Sequence, residues 1–415
     1  MGPRDSPTVE GMTGIHDDAT DPSGTADPTV RRLRPLGETI FATMSRLAKT
    51  TGAINLGQGY PDRDGPEAML DEAVAAIRRG DNQYAPGRGT EGLRRAICAD
   101  RERRLGQRWD PETECLVTVG ATEGITAAVL GLVEPGAHVV LIEPFYDSYR
   151  AAVALADAAW TSVPLVAGPD GWRLDGDALK AAVRDDTAMI IINTPHNPTG
   201  TISSPSELAA VADAARRSGA FVLADEVYER LLYDGHPHHS IADVEGMRDK
   251  CVIVSSAAKT FNVTGWKTGW VLGCPEVVSA VTAAKQFLSY VGVTHVQPAV
   301  AVGLDDCADW VDAMAAELAS NRDVLVDGLR ELGLDVHDAD GGYFVVADIS
   351  PLGLGNALET CMALPEKAGV AAIPVTAFVA DVDDERWRNL ARFGFCKSES
   401  TIREALGNLR AFMER

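Results

Sequence analysis

The chain has 415 residues, 46% of them hydrophobic and 24% charged, with a formal net charge of −22. That is the profile of a soluble globular protein large enough for more than one lobe. The negative balance argues against nucleic acid and anionic membranes as partners, which select basic patches, and no apolar run is long enough to span a bilayer. The seven cysteines (Cys98, Cys115, Cys251, Cys274, Cys307, Cys361, Cys396) form no C-x-x-C pair and are odd in number. They read as reduced thiols in a cytoplasmic protein, not as a disulfide framework or a zinc site, and the first residues lack the apolar core of a signal peptide.

In chain order, residues 1–30 are rich in Gly, Pro, Thr, Ser and Asp without periodicity and predict a disordered tail. Leu33, Leu36, Ile40, Met44 and Leu47 fall at helical spacing and predict a helix from Val30 to Lys49. From Glu67 to Phe287 helices alternate with short apolar strands. Helices are expected over Ala68–Arg79, Glu91–Leu105, Glu123–Leu132 and Pro205–Ser218. Strands are expected over Cys115–Val119, Val139–Ile142, Met189–Ile192, Phe221–Ala224 and Val252–Val254. Near-continuous apolar strands between amphipathic helices predict an α/β fold with a mostly parallel sheet covered on both faces. A long helix from Ala308 to about Leu332, then strands near Leu334–His337 and Tyr343–Ala347, predict a second, smaller α+β lobe. The expected division is a large domain over 70–305 and a small one from 31–69 plus 306–415.

The residues just past each strand carry the chemistry. Val117-Thr118-Val119 runs into Gly120-Ala121-Thr122, and Ile190-Ile191-Ile192 into Asn193-Thr194-Pro195-His196-Asn197-Pro198. Val222-Leu223-Ala224 runs into Asp225-Glu226-Val227-Tyr228, and Ile253-Val254 into Ser255-Ser256-Ala257-Ala258-Lys259. In open parallel sheets the carboxyl edge is where ligands bind, so four polar endings there point to one shared pocket. Their chemistry suits a pyridine-ring cofactor. Lys259 supplies an amine for covalent attachment, and Asp225 a carboxylate that keeps the ring nitrogen protonated. Asn197 and Tyr228 can donate to the ring oxygen. The free N–H groups of Gly120, Ala121 and Thr122 open a helix and suit a phosphate, with Ser256 and Lys267 adding a hydroxyl and a charge.

These motifs resemble the class I/II, fold-type I aminotransferases, enzymes dependent on pyridoxal 5'-phosphate. The resemblance runs from Arg31 to Arg415 through Asn55-Leu56-Gly57-Gln58-Gly59-Tyr60-Pro61, Asn82-Gln83-Tyr84, Gly120-Ala121-Thr122-Glu123, Asn193 to Gly200, Asp225-Glu226-Val227-Tyr228, Ser256 to Lys267, and Arg392-Phe393. It is strongest toward the kynurenine/glutamine and actinobacterial N-succinyldiaminopimelate subgroup. The resemblance implies that Tyr146 stacks on the ring. It implies that Arg392 grips the substrate α-carboxylate, assisted by Asn197 and the Gly59 backbone. It implies that Tyr84 reaches the phosphate of a neighbouring subunit, making a homodimer. The implied activity moves an amino group from an L-amino acid to a 2-oxo acid by a ping-pong route. Ala258 stands where many relatives have Gly. Lys267 stands where the aspartate-type branch has Arg, which argues against that branch. Neutral, aromatic and sulfur-containing amino acids are expected donors. N-succinyldiaminopimelate is also admitted if Arg63 or Arg88 meets a distal carboxylate. A carbon–sulfur β-lyase on the same scaffold, and a non-catalytic cofactor-binding regulator, are the alternatives.

Two further patterns are read as decoys. Gly87-Arg88-Gly89-Thr90-Glu91-Gly92 fits the dinucleotide motif, but the polar, proline-containing segment before it predicts no strand. His236-Pro237-His238-His239 lies in a Gly/Pro stretch and is expected to be a solvated loop, with no metal bound.

Overall fold

A computed structural model describes residues 28–168 and 171–415. The expected tail therefore lies outside the described residues except for its last three, which are exposed. The core of the fold is an eight-stranded sheet. Its spatial order is Cys115–Thr118, Gly269–Leu272, Cys251–Ser256, Phe221–Asp225, Thr187–Asn193, His138–Glu143, Ala159–Gly168 and Gly171–Leu174. The five strands from Cys251–Ser256 across to Ala159–Gly168 pair in parallel; Gly269–Leu272 runs antiparallel to both neighbours, and Gly171–Leu174 antiparallel to Ala159–Gly168. Every residue of Cys115–Thr118, His138–Glu143 and Cys251–Ser256 is buried. Both faces are therefore covered, which explains why these strands are apolar without alternation.

A second, four-stranded antiparallel sheet takes the order Asp335–His337, Phe344–Asp348, Leu390–Gly394, Ile373–Pro374. Early chain returns to this region: Ile54–Asn55 pairs in parallel with Val370–Ala371. The architecture is thus a large, mostly parallel sheet flanked by helices, joined to a smaller antiparallel one.

The helices Glu91–Leu105 and Pro205–Ser218 match the sequence reading, and Glu67–Arg79 starts one residue earlier than expected. Their ends follow local chemistry. Ser204 and Glu207 form a capping box with Pro205 in the first turn, and Gly219 closes the helix at φ 76°. The expected helix over Val30–Lys49 is corrected to a short 3-10 turn, Arg31–Leu33, and a helix, Ile40–Thr51. Pro35 and Gly37 interrupt the periodic run, and Thr39 caps the new start by accepting from Ala42 N. The helix opening the phosphate-type turn begins at Gly120, three residues before the expected Glu123.

Candidate active site

The parallel strands deliver their polar endings to one edge. Asp225, the last residue of its strand, sits beside Asn193 in register. Its backbone carbonyl accepts from Asn193 Nδ2 at 2.8 Å and Thr194 N at 3.1 Å. Asn193 Oδ1 accepts from Asn197 N at 2.7 Å, so one asparagine fixes both the Asp225 strand end and the Asn197 loop. The Asp225 carboxylate is buried and accepts from the Tyr149 hydroxyl at 2.6 Å and from Val227 N at 3.3 Å. Burial pushes it up to about 6 despite those donors, so it is a carboxylate short of a cationic partner.

Lys259 lies one turn after Ser256. The Ser256 hydroxyl caps the short helix Ala257–Thr260 by accepting from Ala258 N at 2.9 Å. The Lys259 amine donates to Gly59 O at 2.8 Å and lies between the Tyr228 and Tyr343 rings, 5.9 and 5.4 Å from their centres. Burial lowers it to about 8, and the neighbouring Arg392 and Lys267 cations press the same way. Such an amine is a nucleophile near neutral pH, where an ordinary lysine is not.

Gly120 has φ 73° at the start of its helix, and Lys267 packs against it: a Cβ there would lie 3.3 Å from the Lys267 amine. The first-turn N–H groups of Gly120, Ala121 and Thr122 thus share a corner with a cation, the arrangement that suits a phosphate. Tyr146 caps the helix Asp147–Leu155, and burial pushes its hydroxyl up to about 12. Burial also raises the Tyr228 hydroxyl.

Arg392 is buried on the strand Leu390–Gly394. Nη1 donates to Asn197 Oδ1 at 2.7 Å and Nη2 to Gly57 O at 2.5 Å, while Nε meets no partner. Among the described residues no carboxylate lies within ion-pair distance of it, and burial lowers it only to about 10, so it stays cationic. The segment Gly57-Gln58-Gly59-Tyr60 knits the site together. Its four successive carbonyls accept from Arg392, the Cys396 thiol, Lys259 and Lys397.

The structure therefore brings together Gly59, Gly120, Ala121, Thr122, Tyr146, Asn197, Asp225, Tyr228, Ser256, Lys259, Lys267 and Arg392. Tyr84 stands apart: it is 81% exposed and packs edge-on against Tyr290. The sequence reading missed Tyr149, which lies in the first turn of the helix Asp147–Leu155 with its ring edge-on to Tyr146, 5.9 Å between centres. It also missed Lys397, which donates to Tyr60 O and pairs with Asp62 at 2.8 Å. Arg88 donates to the carbonyls of Glu112 and Thr113, and Arg63 pairs with Glu317, so both suggested distal arginines already have partners.

The histidine stretch needs a correction. His236 is exposed, but His238 is buried 3.0 Å from Glu226. Two carboxylates draw it inward. Glu226 and Glu229 both accept from Arg101 Nη1, at 2.8 and 2.5 Å, and Arg104 adds a bond to Glu229 at 2.8 Å. Glu226, Glu229 and His238 are close enough to hold a cation, yet the two arginines already balance their charge. The segment before Gly87 carries no strand, so the dinucleotide motif lacks its confirming context.

The fold and the polar groups gathered on this sheet edge are those of a group-transfer enzyme. The sequence pattern of aminotransferase class I and II matches residues 51–409, and the chain belongs to that family; it is an aminotransferase. A probable N-succinyldiaminopimelate aminotransferase of Mycobacterium tuberculosis is 53% identical over 393 residues, covering 93% of this chain and 99% of that protein. The solved structure of N-succinyldiaminopimelate aminotransferase from Mycobacterium tuberculosis superposes with a TM-score of 0.91, covering 92% of this chain and all of the other. A methionine aminotransferase of Escherichia coli is 36% identical over 379 residues, covering 91% of this chain and 97% of that protein.

Proposed function

We propose that the protein is a pyridoxal 5'-phosphate-dependent aminotransferase anchored at Lys259, working as a cytoplasmic homodimer on long amino acids, N-succinyldiaminopimelate first among them. The observation that carries this reading is a buried amine lowered to about 8 and a buried, cation-poor Asp225 carboxylate on the same sheet edge. The residues fit the cofactor. Gly120, Ala121, Thr122, Ser256 and Lys267 would hold its phosphate. Asp225 would face its ring nitrogen, Asn197 and Tyr228 its hydroxyl, and Tyr146 its ring face. Bound there, the cofactor supplies an electron sink for the substrate α-carbon.

The chain's own groups do the rest. Arg392 binds the substrate α-carboxylate through its planar fork, and its confinement by Asn197 and Gly57 sets the substrate's orientation. Asp225 would stay ionised if it faced the cofactor's protonated ring nitrogen. Lys259, as a neutral amine, takes the proton from the substrate α-carbon and holds it for return. Gly59 O is in place to receive the Lys259 amine whenever it is unbonded.

The division into a large domain over 70–305 and a small one from 31–69 plus 306–415 belongs to the same reading, supported by the pairing of Ile54–Asn55 with Val370–Ala371. A second subunit is supported by exposed aromatic side chains around Tyr84: Phe287 is 85% exposed and Tyr290 52%. Seven free, buried cysteines support a reducing compartment. Among the described residues no helix is long and apolar enough to cross a membrane.

The substrate is tested by catalytic efficiencies for N-succinyldiaminopimelate, methionine, kynurenine and aspartate. N-succinyldiaminopimelate is expected highest, which rests on the 53%-identical relative and not on Arg63 or Arg88, and aspartate lowest. A preference for aspartate overturns the assignment; methionine highest would move the chain toward the 36%-identical relative's chemistry, and kynurenine highest toward an aromatic donor.

A further inference from the structure

Arg392 is a buried cation that the protein leaves without an anion, and three phenyl rings surround it. Its Cζ lies 3.7 Å from the centre of the Phe344 ring, 4.8 Å from Phe378 and 5.3 Å from Phe41. The rings come from three separate parts of the chain. Phe41 lies on the helix Ile40–Thr51, Phe344 opens the strand that pairs with the Arg392 strand, and Phe378 ends a turn whose carbonyl accepts from Phe145 N at 2.7 Å. The tip of the Phe344 ring packs close over Gly59: a Cβ on Gly59 would lie 2.6 Å from it, so glycine is what leaves the ring room there.

We infer that Phe344, backed by Phe41 and Phe378, is a positioning residue for the carboxylate-binding arginine. The inference rests on the reading of Arg392 as the substrate's α-carboxylate clamp. A guanidinium has edges that donate hydrogen bonds and faces that do not. Asn197 and Gly57 hold two edge donors, Nε meets no partner, and the rings stand 3.7, 4.8 and 5.3 Å from the guanidinium carbon. A ring face attracts the cation without supplying an anion. An internal carboxylate would fix Arg392 equally well but would occupy the fork that the substrate needs. Asp147 is near enough to act on Arg392 electrostatically, yet it makes no ion pair with it. The rings thus keep the arginine fixed and available. They contribute nothing to proton movement at Lys259.

The test compares Phe344→Leu, Phe41→Leu and Arg392→Gln in the cofactor-loaded enzyme. Steady-state kinetics is read with a good amino donor, and calorimetric binding with 3-phenylpropionate, a carboxylate that lacks an amine. Phe344→Leu is expected to raise KM and weaken 3-phenylpropionate binding by roughly tenfold, the scale of a desolvated cation–ring contact, with kcat within about threefold. Phe41→Leu, on a partly exposed ring at greater distance, should shift both in the same direction by less, and it keeps the test available if Phe344→Leu fails to fold. Arg392→Gln should abolish 3-phenylpropionate binding. If Arg392→Gln still binds the probe, the clamp reading itself fails. If Arg392→Gln loses binding while the folded ring variants keep wild-type KM and probe affinity, or lose kcat instead of KM, the positioning role alone is overturned.

Discussion

At the scale of single residues, the proposed chemistry rests on two buried groups, the Lys259 amine and the Asp225 carboxylate. Lys259 lowered to about 8 has half its amine neutral near that pH, where an ordinary lysine needs a pH above 10. Attachment of pyridoxal phosphate to the cofactor-free protein requires the neutral amine. Its rate should therefore rise with pH through about 8 and level off above it, as monitored by the growth of visible absorbance after mixing. A rise centred above 10 would show an unperturbed amine. Asp225→Ala should retain cofactor attachment yet lose several kcal/mol of transition-state stabilisation, the scale seen when a preorganised charge partner is removed. Tyr149→Phe is the subtler test. The hydroxyl lowers Asp225 by hydrogen bonding, so its removal raises Asp225 further and reduces its ionised fraction at a given pH. The acid limb of the rate profile should move to higher pH, with a loss of about 1.5–3 kcal/mol for a hydrogen bond to a charged group. An unmoved acid limb would remove Tyr149 from the mechanism.

At the scale of elements, the strands that carry the chemistry were legible because a fully buried parallel strand must be apolar throughout and must end where polar loop begins. Phe221–Asp225 and Cys251–Ser256 show both features plainly. Ala159–Gly168 was not legible, because Thr161, Ser162 and Pro164 interrupt its apolar run. The structure shows why proline is tolerated: Pro164 is the last partner of the His138–Glu143 strand, and pairing with Gly171–Leu174 begins at the next residue. Gly269–Leu272 is only four residues long and runs against its neighbours, so no periodicity marks it. Of the candidate site, the strand-end residues were readable. The supporting contacts were not, since Tyr149, Phe344 and Lys397 meet the site only through the tertiary fold.

Arg101 is the clearest such case. In sequence it belongs to a charged run, Arg101-Glu102-Arg103-Arg104, that reads as a solvated helix face. In the fold it is buried and ties the helix Glu91–Leu105 to the turn after Asp225, where Ser255 Oγ also donates to Glu229 at 2.7 Å. Arg101→Met should leave two buried carboxylates undercompensated and cost about 3–5 kcal/mol in stability, read by denaturant unfolding. A neutral result would mean that Arg104 and His238 suffice.

At the scale of the whole molecule, Tyr84 decides whether one chain makes a complete site. It lies on an exposed aromatic patch, and the proposal gives it to the phosphate of a partner subunit. Mixed dimers of a Tyr84→Phe subunit with a Lys259→Ala subunit have one intact lysine, served by the wild-type Tyr84 of the other chain. They should show more activity per working site than the Tyr84→Phe homodimer. A fully active monomer at working concentration would contradict shared sites. Burial behind neutral rings and backbone carbonyls is what keeps Arg392 free of the protein's surplus carboxylates.

The central claim is amino transfer that depends on Lys259, and a single turnover measures it most directly. The cofactor-loaded enzyme is mixed with one amino donor and no 2-oxo acid acceptor. Visible absorbance, released 2-oxo acid and released ammonia are then recorded together. The wild-type enzyme should lose its visible band, release one 2-oxo acid per active site and no ammonia, and regain the band when a second 2-oxo acid is added. Lys259→Ala should do none of this. Ammonia released in step with the oxo acid would instead indicate elimination chemistry, and a Lys259→Ala protein with the native band and normal turnover would contradict the claim outright.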